Sequence, residues 1–192
     1  MAPQDQELII KAKAGDKQAF TELFNRYRKK ILSYLYRCTG DYQLAEDVTI
    51  DTFLNAYTSL ARYKEMGQFS SWLYRIATNR VREELRKRGR HKETPFESPA
   101  ADEPDGLSME ELIADESSRP DYEARKNELA EFIEKTLLKL DKKYKEALVL
   151  CDVEGMGLME ASRVLKCNPI TVGTRLRRAR KIFYDLLKKY GY

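Results

Sequence analysis

Between Arg163 and Lys189 the basic residues are Arg163, Lys166, Arg175, Arg177, Arg178, Arg180, Lys181, Lys188 and Lys189, against one acid, Asp185. Such side chains hold phosphate oxygens, and an arginine that reaches a guanine edge reads sequence. A second cationic tract, Arg80, Arg82, Arg86, Lys87, Arg88, Arg90 and Lys92, follows Tyr63, Phe69, Trp72 and Tyr74. Aromatic rings beside cations suit single-stranded nucleic acid, because bases stack on the rings while cations hold the backbone. The plainer alternative makes Trp72 and Tyr74 core residues and the cations a solvated helix end. For Trp72, Leu73 and Ile76 taken singly, a core role is expected. Nothing in the chain points to covalent catalysis. His91 is the sole histidine, and neither a Ser/His/Asp or Cys/His arrangement nor a glycine-rich nucleotide loop is visible. Cys38, Cys151 and Cys167 are far apart, odd in number and without a CxxC pair. Neither a zinc site nor a disulfide framework is expected. The chain reads as a non-enzymatic protein without cofactor or metal.

The elements that must position these cations follow from apolar spacing. Leu148, Val149 and Leu150 close one segment, and Asp152-Val153-Glu154-Gly155-Met156-Gly157 interrupts it. Leu158, Ala161, Val164 and Leu165 then recur at helical spacing. After a turn at Lys166-Cys167, Asn168 offers an N-cap oxygen and Pro169 fills the first helical position. Val172, Leu176, Ala179 and Phe183 share one face of the final helix. Thr171, Thr174, Arg175, Arg177, Arg178 and Lys181 stand outside that stripe. This is the plan of a helix-turn-helix, whose second helix enters the DNA major groove. A basic face on a small helical bundle is the alternative.

Upstream, Asp16 is a plausible cap for a long amphipathic helix carrying Phe20, Leu23, Phe24, Tyr27, Ile31, Leu35 and Cys38. Asp41 can cap the next. On that helix Leu44, Ala45, Val48, Thr52, Ala56 and Leu60 share a core face, while Ile50, Leu54, Tyr57 and Ala61 lie opposite among Glu46, Asp47 and Asp51. A helix needs one apolar stripe to join a core. The second stripe is either a docking surface for a basic, partly apolar partner groove or a face covered by another helix of the same domain.

From Glu93 to Glu128 acids dominate, opposed only by Arg119, Arg125 and Lys126, and Pro95, Pro99, Pro104 and Pro120 punctuate the stretch. It reads as a linker, either a passive tether or a polyanion that follows nucleic acid in charge logic, with Leu107 to Ile113 able to form a short helix when bound. The expected organisation is all-α: a first domain at 1–92, an acidic linker at 93–127 and a helix-turn-helix domain at 128–192. The net charge of +4 over 192 residues conceals this segregation. No apolar run reaches membrane-spanning length and the N-terminus lacks a signal peptide's pattern, so a cytoplasmic protein without membrane insertion is expected.

Three stretches together resemble the extracytoplasmic-function (ECF) group of bacterial sigma-70-family factors. They are Tyr42-Gln43-Leu44-Ala45-Glu46-Asp47-Val48 with Asp51, Phe53 and Ala56-Tyr57; Phe69-Ser70-Ser71-Trp72-Leu73-Tyr74-Arg75-Ile76-Ala77-Thr78-Asn79; and Glu154-Gly155 with Thr171 to Arg180. The resemblance implies a factor that binds core RNA polymerase, recognises minus-ten and minus-thirty-five promoter elements and initiates transcription. Asp47, Ile50, Asp51, Leu54 and Tyr57 would dock on the clamp helices of the polymerase largest subunit, and the second domain would meet the polymerase flap. Tyr63, Lys64, Gln68, Trp72, Ile76, Ala77, Asn79 and Arg80 would engage the minus-ten element. Among them Tyr63, Ile76, Ala77 and Asn79 would line a pocket for a flipped base, whose extrusion costs a few kcal/mol of unstacking. Thr174, Arg177 and Arg178 would face minus-thirty-five base edges, with Thr171, Arg175 and Lys181 nearer phosphates. An anti-sigma factor is implied as inhibitor.

Several positions depart from the family pattern. Ile50 stands where glutamine is usual and Asp51 where glutamate is. Lys166 replaces a common glycine, which predicts strain in a left-handed turn. Ala161-Ser162 replaces isoleucine-alanine. Gly173 replaces a larger residue and should weaken its helix by roughly 0.5–1 kcal/mol. The alternative function is a helix-turn-helix regulator whose first domain dimerises or senses a ligand.

Overall fold

The computed structural model describes residues 3–63, 68–89 and 131–189. Helix α1 (Pro3–Lys13) buries Ile9 and Ala12. It is pinned by the buried carboxylate of Asp5, which accepts hydrogen bonds from Arg26 Nη1 at 2.5 Å and Tyr27 Oη at 2.6 Å. Gly15, at φ +98°, turns the chain into α2 (Lys17–Thr39). Asp16 caps α2 as expected, its Oδ1 accepting from the backbone N–H of Gln18 at 2.8 Å and Ala19 at 3.1 Å. Leu23, Tyr27, Ile31, Leu35 and Cys38 face inward. Burial pushes the Cys38 thiol up to about 12, so it stays protonated and inert.

Asp41 caps α3 (Tyr42–Ser59) through the Leu44 N–H at 3.0 Å. A 3₁₀ turn (Leu60–Arg62) leads towards α4 (Phe69–Gly89). The core face of α3 is wider than the projected stripe. Thr49 and Phe53 are buried too, and Phe53 meets Phe24 edge-to-face with ring centres 4.8 Å apart.

The second half begins in helical residues 131–138, here α5. Helix α6 (Lys142–Leu148) runs on into one π-helical turn (Val149–Val153). Then come α7 (Leu158–Leu165) and α8 (Pro169–Lys189). The turn between the last two contains the only positive φ found on a described non-glycine residue, Lys166 at φ 54° and ψ 47°. A Cβ is disfavoured there by about 1–2 kcal/mol. Lys166→Gly removes that penalty and adds unfolded-state entropy of about 0.5–1 kcal/mol. The expected net is a stabilisation below ~1 kcal/mol, read as a rise in thermal midpoint of a few degrees.

The two halves share one core. Helix α4 packs along α7, and α2 meets both α6 and the π turn. Leu138 lies over Gly40, the C-cap of α2 at φ +71°; a Cβ added to Gly40 would sit 2.8 Å from Leu138 Cδ1. Buried Lys145 reaches back as well, donating to the Leu138 carbonyl at 3.3 Å and the Cys38 carbonyl at 3.5 Å. The linker expected at 93–127 lies outside the described residues. Among those described, no helix is long and apolar enough to cross a membrane.

Candidate nucleic-acid interface

Helix α8 is set by its first turn. Asn168 Oδ1 accepts the Ile170 N–H at 2.9 Å, and Pro169 starts the helix. Val172, Leu176, Ala179, Phe183 and Leu187 are buried against α6 and α7. Their burial turns Ile170, Thr174, Arg177, Arg178 and Lys181 outward as one exposed stripe, with Thr171 and Arg175 half-buried on its flanks. Arg178 Nη1 donates to Tyr144 Oη at 3.3 Å, and Arg175 Nη1 lies 3.8 Å from Cys167 Sγ. Arg180 has a different task. It pairs through two hydrogen bonds, 2.9 and 2.7 Å, with the nearly buried Asp152 and ties the π turn to α8. That carboxylate holds the Arg180 guanidinium above its ordinary range.

Of the four aromatic residues before the second cationic tract, only half-buried Trp72 reaches the surface. Tyr63, Phe69 and Tyr74 are buried. Tyr63 packs on Trp72 and Phe69 with ring centres 4.8 and 5.7 Å away, and Lys13 Nζ donates to its carbonyl at 2.7 Å. Ala77 is fully enclosed in the core. Of the four residues expected to line a base pocket, Tyr63 and Ala77 therefore face inward in this arrangement, and only half-buried Ile76 and exposed Asn79 reach the surface. Gln68 is exposed, Trp72 and Arg80 are half-buried, and Lys64 lies outside the described residues.

On α3 the second stripe is left largely uncovered by the described elements. Ile50, Leu54 and Tyr57 are 53%, 59% and 44% exposed, values ordinary for a binding face and high for core. Asp47 is exposed beside them, and Asp51 is half-buried. Tyr57 is steadied edge-on by Phe20 at 4.9 Å. Arg80 Nη2 approaches Asp51 Oδ2 at 3.4 Å, so the acidic stripe abuts α4.

Three pairings that sequence alone does not reveal join α4 to the second half. Arg82 Nε donates to Glu146 Oε1 at 2.9 Å and Arg82 Nη2 donates to Oε2, with Glu146 almost wholly buried. Tyr74 Oη donates to Glu154 and Ser71 Oγ to Glu160. The Glu146 carboxylate holds Arg82 charged, whereas burial and the Glu154 carboxylate push the Tyr74 hydroxyl up. Partners separated by 64, 80 and 89 residues leave no local periodicity by which to find them.

Residues 23–91 match the family of sigma-70 region 2, and residues 132–182 match sigma-70, region 4. The chain is 32% identical to RNA polymerase sigma-H factor of Pseudomonas aeruginosa, over 93% of this chain and 91% of that one. It is 32% identical to ECF RNA polymerase sigma factor SigW of Bacillus subtilis, over 94% and 95%. Among solved structures, CnrH in complex with the cytosolic domain of CnrY superposes with a TM-score of 0.67 at 26% identity, covering 97% of this chain and 99% of that one.

Proposed function

The chain belongs to the ECF group of the sigma-70 family of RNA polymerase initiation factors, and from that premise we propose which of its surfaces does what. The protein binds core RNA polymerase, recognises the minus-ten and minus-thirty-five elements and initiates transcription. The stripe Asp47, Ile50, Asp51, Leu54 and Tyr57 docks on the clamp helices of the largest subunit. Gln68 and the Trp72, Ile76, Asn79 and Arg80 face of α4 meet the minus-ten strand, and Tyr63 and Ala77 support that face from beneath. The α8 stripe enters the major groove at minus-thirty-five, while the second domain contacts the polymerase flap. Melting follows from strand capture without nucleotide hydrolysis, the chain acting in the cytoplasm as a non-enzymatic factor. An anti-sigma factor is the partner class expected to oppose it.

The uncovered acidic–apolar stripe of α3 carries this reading, because its clustered acids would repel a second copy of the same face and suit a basic partner groove. The test is co-purification with bacterial core RNA polymerase followed by run-off transcription on fragmented genomic DNA. Stable association with discrete start sites is expected. Duplex binding without polymerase association would overturn the assignment. On the promoter so obtained, Arg178→Ala is expected to cost about 1–3 kcal/mol at one minus-thirty-five base pair. Equal loss on every sequence would make Arg178 a phosphate contact.

A further inference from the structure

Resting on the assignment of α8 as the minus-thirty-five reader, we propose that its leading turn reads thymine through the C5-methyl group, with Ile170 as the specificity-determining residue. Recognition helices meet base edges with their N-terminal residues. Here that end of the stripe is apolar. Ile170 is 78% exposed, more than any other large hydrophobic residue described as exposed, and no core contact accounts for it.

Thr174, one turn on, belongs to the same apolar spot. Its Oγ1 donates to the Ile170 carbonyl at 3.0 Å, so its one hydroxyl proton is engaged within the helix and its methyl is available to the groove. On the flank of this pair towards α7 lies Gly173, which has no side chain to fill the space. A Cβ there would meet Leu158 Cδ1 at 3.6 Å, which places the partly exposed Leu158 side chain against the same turn. Ile170, the Thr174 methyl and Leu158 thus border a shallow apolar lip with backbone at its floor. Thymine is the base that presents a methyl group in the major groove. The stripe continues directly into Arg177, Arg178 and Lys181, and α8 carries no acid before Asp185. That charge fits duplex DNA as the occupant and disfavours a basic protein groove.

The test uses the full chain assembled with core RNA polymerase, on a promoter recovered by genomic run-off. Each thymine of the minus-thirty-five element is replaced singly by deoxyuridine, which lacks only the methyl group. The wild-type holoenzyme is expected to lose about three- to five-fold in affinity at one or two positions, the worth of one buried methyl. Ile170→Ala should bind the parent promoter equally weakly and become indifferent to uridine at those positions. Ile170→Val, which keeps a branched apolar side chain, should retain the sensitivity. Wild-type indifference to every substitution overturns the proposal, as does an Ile170→Ala loss of equal size that leaves the methyl sensitivity intact. The latter result would point to a protein contact at Ile170. Failure to initiate on the unmodified promoter would instead remove the reading of α8 on which the proposal stands.

Discussion

Asp47→Lys is expected to abolish co-purification with core RNA polymerase while leaving the helical content and thermal midpoint unchanged. Asp47 is exposed on α3 and accepts a 3.3 Å hydrogen bond from Gln43 Nε2. A surface substitution of this kind shifts folding stability by about 0.5 kcal/mol or less. Its effect on docking is larger. On the docking role proposed for this stripe, Ile50, Leu54 and Tyr57 would supply apolar area and the acids around them would select a basic groove. Reversing one charge at the centre of such a contact sets like charges against each other, which costs several kcal/mol. Each 1.4 kcal/mol is tenfold in affinity, so binding should fall by two orders of magnitude or more. Undiminished co-purification would remove the docking role from this stripe. Loss of the fold would leave the question to Asp47→Asn, which removes the charge without reversing it.

Arg82→Ala should open the molecule without unfolding either half. Glu146 is almost entirely buried, and Arg82 is the cation that bonds both of its oxygens. Breaking such a pair from one side costs about 3–5 kcal/mol where the buried carboxylate is left uncompensated, and Lys142 and Lys145, which also feel the Glu146 charge, offset part of that cost here. The chain can avoid that cost by parting α4 from α6 and α7, which returns Glu146 to water. Small-angle scattering should show a larger radius of gyration with unchanged far-ultraviolet circular dichroism. The double change Arg82→Met with Glu146→Leu removes both charges and should stay closed. An Arg82→Ala protein as compact as the wild type at neutral pH would show that the ion pair does not hold the halves together.

Much of this was legible because it is local. Asp16, Asp41 and Asn168 announce helix starts through side-chain oxygens two or three residues ahead of the N–H groups they accept. The Val172-Leu176-Ala179-Phe183 stripe fixes by elimination which cations of α8 face out. The second stripe of α3 was visible, although its exposure was not, because periodicity states that a face is apolar and not what lies over it. The aromatic segment misleads for the same reason. Tyr63, Phe69 and Trp72 sit close in sequence and satisfy one another, so composition resembling a stacking platform is largely an internal cluster. The burial of Tyr74 and Glu146 depends on a partner half reached across the linker.

The closeness of the two halves also has a consequence for how the protein measures a promoter. Elements centred near minus ten and minus thirty-five are about 85 Å apart along B-form DNA at about 3.4 Å per base pair. A chain whose α4 rests on α7 cannot serve as that ruler. It becomes one only when every contact from Ser71, Tyr74, Arg82 and Leu138 has been given up and the polymerase sets the spacing. Polymerase and promoter together therefore select from the extended fraction of the population. Their apparent dissociation constant is the intrinsic one divided by that fraction. A few carboxylates that are not themselves among the DNA-facing residues would then set how much of this factor is needed before its promoters fire.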